Sequence, residues 1–524
     1  MKNSPLIGFM AFSVALPGIA FASKIAPFVS KAFETNSVIP VIVKMKNQAD
    51  LKSIEAAHLS LKERQKKVYD TLRKLALNDQ KSIVRALDAH AAKYRRFYIG
   101  NMVVVWNANA DLVKELAARE DVAQVYGNPS VNLNLPPEAK RFGNGLRSAI
   151  PASNGVGDNI AFTGADKIWA KYGKQGEGVV VAGQDTGVQF DHPALAHQYR
   201  GYRAGLAPTH DLNWHDSIHR DTPIASNRCG YDLGVPCDDG DHGSHTMGTM
   251  VGSDGGANQI GMAPKAQWIA CRNMDGGTGT PASYIECFEW MLAPYKVGAN
   301  PMTEADPTMA PNIINNSWGC PEVEGCSSDE LAPALIAMKA AGVLVIVSAG
   351  NDGPSCGTIQ NPPAWHSGLT LSVGAYDHRE QTIADFSSRG PSKIDGEIGP
   401  DVVAPGVNIR SSIPNGKYIQ FGWSGTSMAG PHVAGAAALL WSIRPELIGD
   451  IEKTTLILKE SATAKTSGES CGGVSGFAIP NNTYGMGVID IQKAVAIASG
   501  EIIPSDPSSP TKRPQSTWPS SLRR

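Results

Sequence analysis

Two different patterns of hydrophobic and polar residues follow one another along the chain. From residue 37 to about residue 135 the sequence is rich in lysine and poor in glycine, and residues 50–93 repeat leucine and charged residues at helical spacing. This periodicity predicts an elongated helical region. Strands are predicted in SVIPVIVKMK, FYIGNMVVVWNA and VAQVYGNPSVNLNL, and a helix capped by Asp111 is predicted in DLVKELAARE. Residues 37–135 are therefore expected to form a small α+β domain.

After residue 158 the pattern changes to short apolar runs that alternate with helices. EGVVVAGQDTG, AQWIACRNMDGG, NIINNSWG, GVLVIVSAGNDG and TLSVGAYD each end in small polar residues. Such runs are typical of buried parallel strands whose carboxyl ends carry a site. Residues 158–500 are thus predicted to form a three-layer α/β sandwich with a mainly parallel central sheet. Asp185, Asn316 and Asn351 would lie along one rim of that sheet.

Flanking segments have other compositions. Residues 136–157 and 501–524 are rich in proline and serine, and they predict an exposed linker with a maturation site and a disordered tail. The N-terminus has Lys2, an apolar run and Ala20-Phe21-Ala22, the pattern of a signal peptide cleaved after Ala22, which leaves residues 23–36 as an extension. The apolar run is short for a membrane span, so a retained anchor is the less favoured alternative.

Overall charge and cysteine usage narrow the class of protein. The formal net charge of −2 over 524 residues gives no basic field for nucleic acid or anionic lipid. Eight cysteines, an even number in a chain predicted to be exported, favour disulfides, whereas the absence of CxxC and HxxxH spacings disfavours zinc. Spacing alone does not fix the connectivity. The candidate pairs are Cys229 with Cys237, Cys320 with Cys326, and, less strongly, Cys271 with Cys287 and Cys356 with Cys471.

Ser427 is the first candidate for chemistry. It lies in WSGTSMAGPHVAGAAALL, at the expected start of a helix rich in small residues. Serine is a frequent helix N-cap, so a purely structural role is the alternative to a nucleophile. We expect Ser427 to serve as both, with its hydroxyl above the positive end of the helix dipole.

A nucleophilic serine needs an imidazole to accept its proton and a carboxylate to hold that imidazole. His242, in DDGDHGSHTMGTMVG, and Asp185, at the end of a strand, provide these groups, although each alone is also typical of a structural residue. His245 is expected to be a core histidine, because two histidines three residues apart without a third ligand do not make a zinc site. Asn351, in SAGNDG, would supply an amide N–H to an oxyanion.

Taken together, DTGV with DHP after it, HGSHTMGTMVG, SAGNDG and GTSMAGPHVAGAAALL resemble the signature segments of the subtilisin-like (subtilase) serine endopeptidases. The resemblance covers about residues 158–500. It implies that Asp185 orients His242, which acts as general base and then acid, that Ser427 attacks the peptide carbonyl, and that Asn351 and the Ser427 N–H stabilise the oxyanion. It implies no cofactor for the chemistry.

The same resemblance implies protein or peptide substrates and a set of subsites. An extended substrate is expected to pair with residues 316–319, and the Trp318 ring to contribute to a secondary subsite. The residues expected to line the primary subsites are Ser317, Trp318, Gly319, Ser348, Ala349 and Gly350.

Residues 37–135 resemble the inhibitory propeptide of the same family. This segment would be the chain's own intramolecular inhibitor, and autocatalytic cleavage is expected after about Leu135. The whole is interpreted as a monomeric preproenzyme that is secreted, with periplasmic or cell-surface location as the alternative.

Two features differ from the family's familiar calcium site. Ala194 follows the His-Pro where many members have an acidic ligand, and VGSDGGANQIGMAP lacks the usual asparagine ligand. The usual calcium site is therefore not expected, while a different structural calcium site stays open. The acidic run Asp238, Asp239 and Asp241 leads to the hypothesis that basic substrate residues are preferred, with a solvated loop as the alternative.

Three other functions compete with this interpretation. An inactive scaffold on a peptidase fold conflicts with the presence of all four catalytic positions. A processing protease of the kexin type would need a β-sandwich domain, for which no room is seen after residue 500. An esterase is disfavoured because Ser427 lies in GTSMA and not in GxSxG.

Overall fold

The computed structural model describes residues 24–136, 155–220, 224, 227–361, 363–364, 366–419 and 423–501. The predicted signal peptide, residues 137–154 of the predicted linker and all but the first residue of the predicted tail lie outside the described residues.

The N-terminal unit is an antiparallel sheet packed against helices. Its strands are β1 (Val38–Met45), β2 (Tyr94–Phe97), β3 (Met102–Asn109) and β4 (Val122–Gly127), and a short β5 (Val131–Asn132) follows. Its helices are α1 (Pro27–Ala32), α2 (Lys52–Glu55), α3 (Leu61–Ala89) and α4 (Ala110–Ala118). The sheet order is β2-β3-β1-β4, with all three pairings antiparallel.

Helix caps explain where the helices of this unit begin. The predicted helical region is divided into α2 and the 29-residue α3, because Ser60 and Glu63 form a capping box that starts α3 afresh. The predicted cap of α4 was wrong by two residues. Asn109 is the N-cap and accepts the N–H of Leu112, whereas Asp111 lies in the first turn, where its charge favours the helix dipole.

The second unit contains the parallel sheet. Its sheet strands are β6 (Val180–Asp185), β7 (Trp214–Asp216), β8 (Gln267–Arg272), β11 (Ile313–Asn316), β12 (Leu344–Ser348), β13 (Leu371–Asp377), β14 (Thr382–Ile383) and β15 (Val402–Pro405). Shorter strands are β9 (Met274–Asp275), β10 (Thr278–Gly279), β16 (Ser411–Ile413), β17 (Lys417–Ile419), β18 (Ser470–Cys471) and β19 (Val474–Ser475). The order is β14-β13-β12-β11-β6-β8-β7, with β15 also paired to β13. Only the pairing of β13 with β14 is antiparallel among these described sheet strands.

Helices cover both faces of this sheet. They are α5 (Asp158–Thr163), α6 (Ala165–Tyr172), α7 (His242–Val251), α8 (Pro281–Leu292), α9 (Ala332–Ala340), α10 (Thr426–Ile443), α11 (Ile451–Ser461) and α12 (Ile491–Ala498). One buried cluster joins α10 to one face, and another joins α8 and α9 to the other face. The predicted fold class, three layers with a mainly parallel sheet, is confirmed.

Small residues allow α10 to lie inside the molecule. Every residue from 426 to 442 is buried, and the helix packs against β11, β12, β13 and β15. A Cβ added at Gly435 would lie 2.4 Å from the Cβ of Met262, so a larger residue would push the helix away from its neighbours. Close packing of this helix is what brings its first turn to the rim of the sheet.

The N-terminal unit packs against α8 and α9. On α9, the Arg64 guanidinium donates to the carbonyls of Lys339 (2.7 Å) and Ala340 (2.5 Å), where the helix dipole is negative. On α8, the Glu289 carboxylate accepts the backbone N–H groups of Tyr98 (2.5 Å) and Ile99 (3.0 Å). These bonds hold the N-terminal unit on α8 and α9.

All eight cysteines are paired, and each predicted pair is present. The disulfides join Cys229 to Cys237, Cys271 to Cys287, Cys320 to Cys326, and Cys356 to Cys471. In the part of the chain that the structure describes, no helix has the length and apolar character needed to cross a membrane.

Candidate active site

Asp185 and His242 form a buried pair at the end of strand β6. Asp185 is the last residue of β6, between β8 and β11, and His242 is the first residue of α7. The His242 Nδ1 lies 2.7 Å from Asp185 Oδ1, which also accepts the Thr186 N–H at 2.7 Å. Because the carboxylate holds Nδ1, the opposite nitrogen, Nε2, is directed elsewhere. It is buried and has no hydrogen-bond partner among the described residues.

His245, one turn along α7, has a different role. Its Nε2 lies 3.0 Å from the carbonyl oxygen of Ile409, and its ring stacks on Trp423 with centroids 5.0 Å apart. Burial lowers the pKa of His245 to about 3, so the imidazole stays neutral. These contacts are those of the core histidine that the sequence predicts.

Ser427 is the second residue of α10, but it does not cap the helix. Gly425 occupies the N-cap position, and the Ser427 hydroxyl donates to the carbonyl oxygen of Ser317 at 3.2 Å. The expectation that one residue is both cap and nucleophile was therefore wrong in its first half. Since the cap is a glycine, the Ser427 hydroxyl is not committed to the N–H groups of the first turn.

Pro431 leaves the Ser427 carbonyl without its helical partner, and Ser317 replaces that partner. A proline in a helix cannot donate to the carbonyl four residues earlier, which here belongs to Ser427. The Ser317 hydroxyl donates to this carbonyl at 3.0 Å. Ser317 and Ser427 thus exchange two hydrogen bonds, which fix the first turn of α10 against the end of β11.

Asn351 is oriented by the start of α10. Its Oδ1 accepts the N–H and the hydroxyl of Thr426, both at 2.9 Å. An amide held by its oxygen must present its nitrogen on the other side. That nitrogen donates to the backbone carbonyl oxygen of Asn134 at 2.8 Å. The amide of Asn351 thus contacts a peptide carbonyl of the N-terminal unit.

Residues 131–134 of the N-terminal unit lie extended in the cleft. Strand β5 pairs antiparallel with β10, with Asn132 opposite Thr278, and the Leu133 N–H donates to Gly277 at 2.8 Å. The partner of β5 is thus the short strand formed by the glycine-rich DGGTG segment, and residues 317–319 line the cavity beyond it. The pairing of an extended substrate with residues 316–319 stays a prediction.

A cavity of about 310 Å³ lies beside Asn134, Asn351 and Ser427. Most of the predicted subsite residues line it, namely Ser317, Trp318, Gly319, Ser348 and Gly350. Ala349 does not line it, because its side chain is fully buried after β12.

The Trp318 indole is largely committed to the interior. It stacks on Tyr284 with centroids 3.9 Å apart, and its N–H donates to the carbonyl of Gln184 at 3.0 Å. Only 4% of Trp318 is exposed, so the ring forms a wall and does not project into the cavity.

Sequence reasoning missed several polar residues of the cavity. Asp352, Asn361 and Glu324 line it together with the residues above. Asp352 follows Asn351 directly in SAGNDG, so its position beside the predicted oxyanion donor was a usable signal. Asn361 and Glu324 come from loops whose course the local sequence does not reveal.

The acidic run before His242 points inward. Asp238 accepts from the Thr186 hydroxyl (2.7 Å) and the Ser244 N–H (2.8 Å), and Asp239 pairs with the buried Arg272 at 3.1 Å. Burial raises the pKa of both carboxyls to about 6. Because their oxygens hold the loop together, neither the solvated loop nor the attraction of basic substrates describes these two residues.

The residues at the family's calcium position do not fit a calcium ion. Ala194 is buried and offers no side-chain oxygen. In the later loop, the Asp254 carboxylate accepts from the Gly256 N–H at 2.9 Å and the Asn258 amide at 2.6 Å. The Arg410 guanidinium donates to Asn258 Oδ1. The side-chain oxygens that could bind calcium here thus already accept hydrogen bonds, and the positive charge at this position comes from the Arg410 guanidinium.

The amino-acid sequence is similar to those of known proteins. Residues 176–487 match the model of the Subtilase family. The chain is 34% identical over 506 residues to Bacillopeptidase F of Bacillus subtilis (strain 168), which covers 90% of this chain and 32% of that protein. It is 31% identical over 343 residues to Serine protease AprX of the same strain, covering 61% of this chain and 66% of that protein.

A shorter relative is matched over most of its length. Subtilisin of Bacillus pumilus is 32% identical over 276 residues, which is 52% of this chain and 80% of that protein. The chain spans about a third of Bacillopeptidase F, whereas it spans most of this subtilisin. Because the family match takes in more than half of its residues, the chain belongs to the subtilase family.

Proposed function

We propose that this protein is a serine endopeptidase that hydrolyses peptide bonds in proteins through an acyl-enzyme on Ser427. Three observations support it: the buried pair of Asp185 and His242, the unpaired Nε2 of His242, and the placement of Ser427 in the first turn of α10. Family membership supports the same activity. As in other subtilases, the chemistry needs no cofactor.

Each residue has a defined task in the proposed reaction. Asp185 holds Nδ1 of His242 as a donor, so Nε2 is the nitrogen that accepts the Ser427 proton. The hydroxyl exchanges its bond to the Ser317 carbonyl for one to Nε2 as it attacks the substrate carbonyl. His242 then gives the proton to the leaving amine. Water repeats the sequence to release the acyl group.

The contact between Asn351 and Asn134 carries the proposal. The Asn134 carbonyl oxygen accepts from Asn351 Nδ2 at 2.8 Å, which is the position expected for a carbonyl that becomes an oxyanion. The Ser427 N–H, in the first turn of α10, would be the second donor. The bond that follows this carbonyl joins Asn134 to Leu135. We infer that this is the bond cut during maturation, one residue before the site predicted from the sequence.

Residues 24–134 would then be an intramolecular propeptide that blocks the cleft until it leaves. β5 occupies the substrate edge formed by β10, and Glu289 and Arg64 hold the rest of the unit on α8 and α9. The predicted signal peptide and the four disulfides support export to an oxidising compartment. Proteins or peptides are the proposed substrates of a monomeric enzyme, with no role for nucleic acid or membranes.

The calcium position supports a further part of the proposal. Arg410 and Asn258 bridge the loop at the expected calcium position, so we propose that folding of this loop is independent of calcium.

A fluorophosphonate probe tests the proposed activity. We expect one probe to label each molecule of the processed protein, and we expect no label on the Ser427→Ala variant. Absence of labelling in a folded, processed protein would favour the inactive scaffold. Hydrolysis of simple esters without cleavage of any protein would favour an esterase.

A further inference from the structure

The Asn134 side chain enters the cavity and meets a carboxylate there. Its Nδ2 donates to Asp352 Oδ1 at 3.1 Å. A carboxylate only accepts hydrogen bonds, so the nitrogen of the Asn134 amide, and not its oxygen, faces Asp352. The residue immediately before the inferred scissile bond is thus recognised through an N–H donor.

Two hydrogen bonds hold Asp352 in place. Its backbone N–H donates to the Ser388 hydroxyl at 3.2 Å, and its second oxygen, Oδ2, accepts from the Asn361 amide at 3.2 Å. Gly350, with φ of 108°, lets the loop approach Ser388, because a Cβ there would lie 2.7 Å from the Ser388 hydroxyl oxygen. With Oδ2 engaged by Asn361, Oδ1 is the oxygen left for a substrate donor.

The charges around Asn134 favour a hydrogen-bond donor over an acceptor on the substrate side chain at this position. The described residues that line the cavity include two carboxylates, Asp352 and Glu324, and no lysine, arginine or histidine. Burial raises the pKa of Glu324, and the nearby Asp352 charge raises it a little further. Burial also raises the pKa of Asp352. A carboxylate on the substrate at this position would therefore meet like charge with no compensating cation.

We propose that Asp352 makes asparagine the preferred residue immediately before the scissile bond, and that Asn361 acts as a positioning residue for Asp352. The inference rests on the proposed peptidase function and adds its substrate class. An aspartate of the same shape would be repelled by Asp352. A leucine of similar size would leave Asp352 Oδ1 half-buried without its donor, and such a loss is unfavourable in a site built for a hydrogen bond.

The test compares peptides that differ only before the cut. The processed enzyme is given Val-Asn-Leu-X-Leu-Pro, the sequence of residues 131–136 with X at position 134, where X is Asn, Asp, Leu or Lys. We expect kcat/KM for Asn to exceed that for Asp and Leu by about 10- to 100-fold, and Lys not to exceed Asn. In the same samples, a fluorophosphonate counts the active sites.

Two variants assign the effect to Asp352. Asp352→Asn should lower the ratio of kcat/KM for the Asn peptide to kcat/KM for the Asp peptide at least about 10-fold. Continued cleavage of the Leu peptide shows that this variant is folded and active. Glu322→Gln is the matched control, because Glu322 is a carboxylate of the neighbouring loop that pairs with Lys393 at 2.7 Å and does not line the cavity. It should leave the ratio unchanged.

Several results would overturn the inference. Equal kcat/KM values for the Asn, Asp and Leu peptides in the unmodified enzyme would do so without any variant. An Asp352→Asn enzyme that still cuts the Leu peptide but keeps the same ratio of kcat/KM for Asn over Asp would also do so. So would a Lys peptide that is cut faster than the Asn peptide. Labelling without this selectivity removes only the inference, whereas no labelling and no cleavage of any peptide remove the proposed function as well.

Discussion

At the scale of single residues, a proline explains why a serine of the cleft is needed. Pro431 cannot donate to the Ser427 carbonyl, and the Ser317 hydroxyl supplies that bond at 3.0 Å while its own carbonyl accepts from Ser427. A glycine cap at 425 leaves the Ser427 hydroxyl free of the N–H groups in the first turn of α10. The position of the Ser427 hydroxyl is thus set by one missing N–H and by the hydroxyl that replaces it.

Replacement of Ser317 should therefore affect both stability and catalysis. Ser317→Ala leaves the Ser427 carbonyl buried without a donor, so we expect a loss of about 1–3 kcal/mol in the free energy of unfolding and a lower kcat. Denaturant unfolding and steady-state kinetics measure the two effects.

The control for stability is Ser348→Ala. The Ser348 hydroxyl is buried and has no hydrogen-bond partner among the described residues, so its removal should cost less than that of Ser317. Equal losses of stability in the two variants would show that the bond to Ser427 is not what makes Ser317 important.

At the scale of elements, a carboxylate of α8 links the N-terminal unit to pH. Glu289 is buried beneath Tyr98 and Ile99, and burial raises its pKa to about 8 from an ordinary value of 4.5. Between these values the folded chain binds a proton that the unfolded chain does not. The contribution of Glu289 to stability is therefore complete below about pH 4.5 and decreases as the pH rises to 8.

Glu289→Gln should remove this pH dependence. We expect the Ser427→Ala precursor to lose stability relative to its Glu289→Gln derivative by up to about 1.4 kcal/mol per pH unit between pH 5 and 8. The glutamine oxygen can still accept from the same N–H groups. Chemical denaturation of both proteins across this range measures the difference, and a constant difference would contradict the assignment.

The loop at the calcium position gives a second prediction for an element. Removal of divalent cations with a chelator should leave the thermal unfolding midpoint unchanged, because Arg410 and Asn258 hold the loop. Arg410→Met should lower that midpoint. A large drop on chelation, reversed by added calcium, would show that an ion and not the guanidinium organises this region.

Sequence periodicity predicted the strands and helices well and their contacts less well. The apolar runs that end in Asp185 and Ser348 became β6 and β12, since burial on both faces leaves a continuous apolar signal. The partner of β5 was not predictable in this way. β10 has two residues, too few to show a period, and it becomes an edge only when the glycine-rich loop folds.

In the candidate site, too, local motifs were predictable from the sequence and tertiary contacts were not. The residues proposed to react follow strands or begin helices, so short motifs around Asp185, His242, Asn351 and Ser427 predict them. Asn361 enters the cavity from a loop with no regular structure, and its link to Asp352 is a tertiary contact. The wrong cap of α10 has a similar cause, because serine and glycine both suit an N-cap and the choice depends on packing around Gly425.

At the scale of the whole molecule, one chain would supply the proposed enzyme, its proposed inhibitor and its first substrate. The N-terminal unit shares a buried core with α8 and α9, and its last residues reach the cleft, where Asn351 contacts the Asn134 carbonyl. After cleavage the N-terminal unit would be held to the rest of the protein only by non-covalent contacts. Glu289 and Arg64, which hold the unit on α8 and α9, would then decide how long it stays bound.

The most direct measurement is the new N-terminus of the processed protein. The purified chain and its Ser427→Ala variant are incubated alone, and intact mass with N-terminal sequencing reports every cut. We predict that the unmodified chain acquires an N-terminus at Leu135 and that the variant stays uncut. Cleavage of the purified variant at the same bond, or an unmodified chain that stays intact between Asn134 and Leu135, would contradict the account.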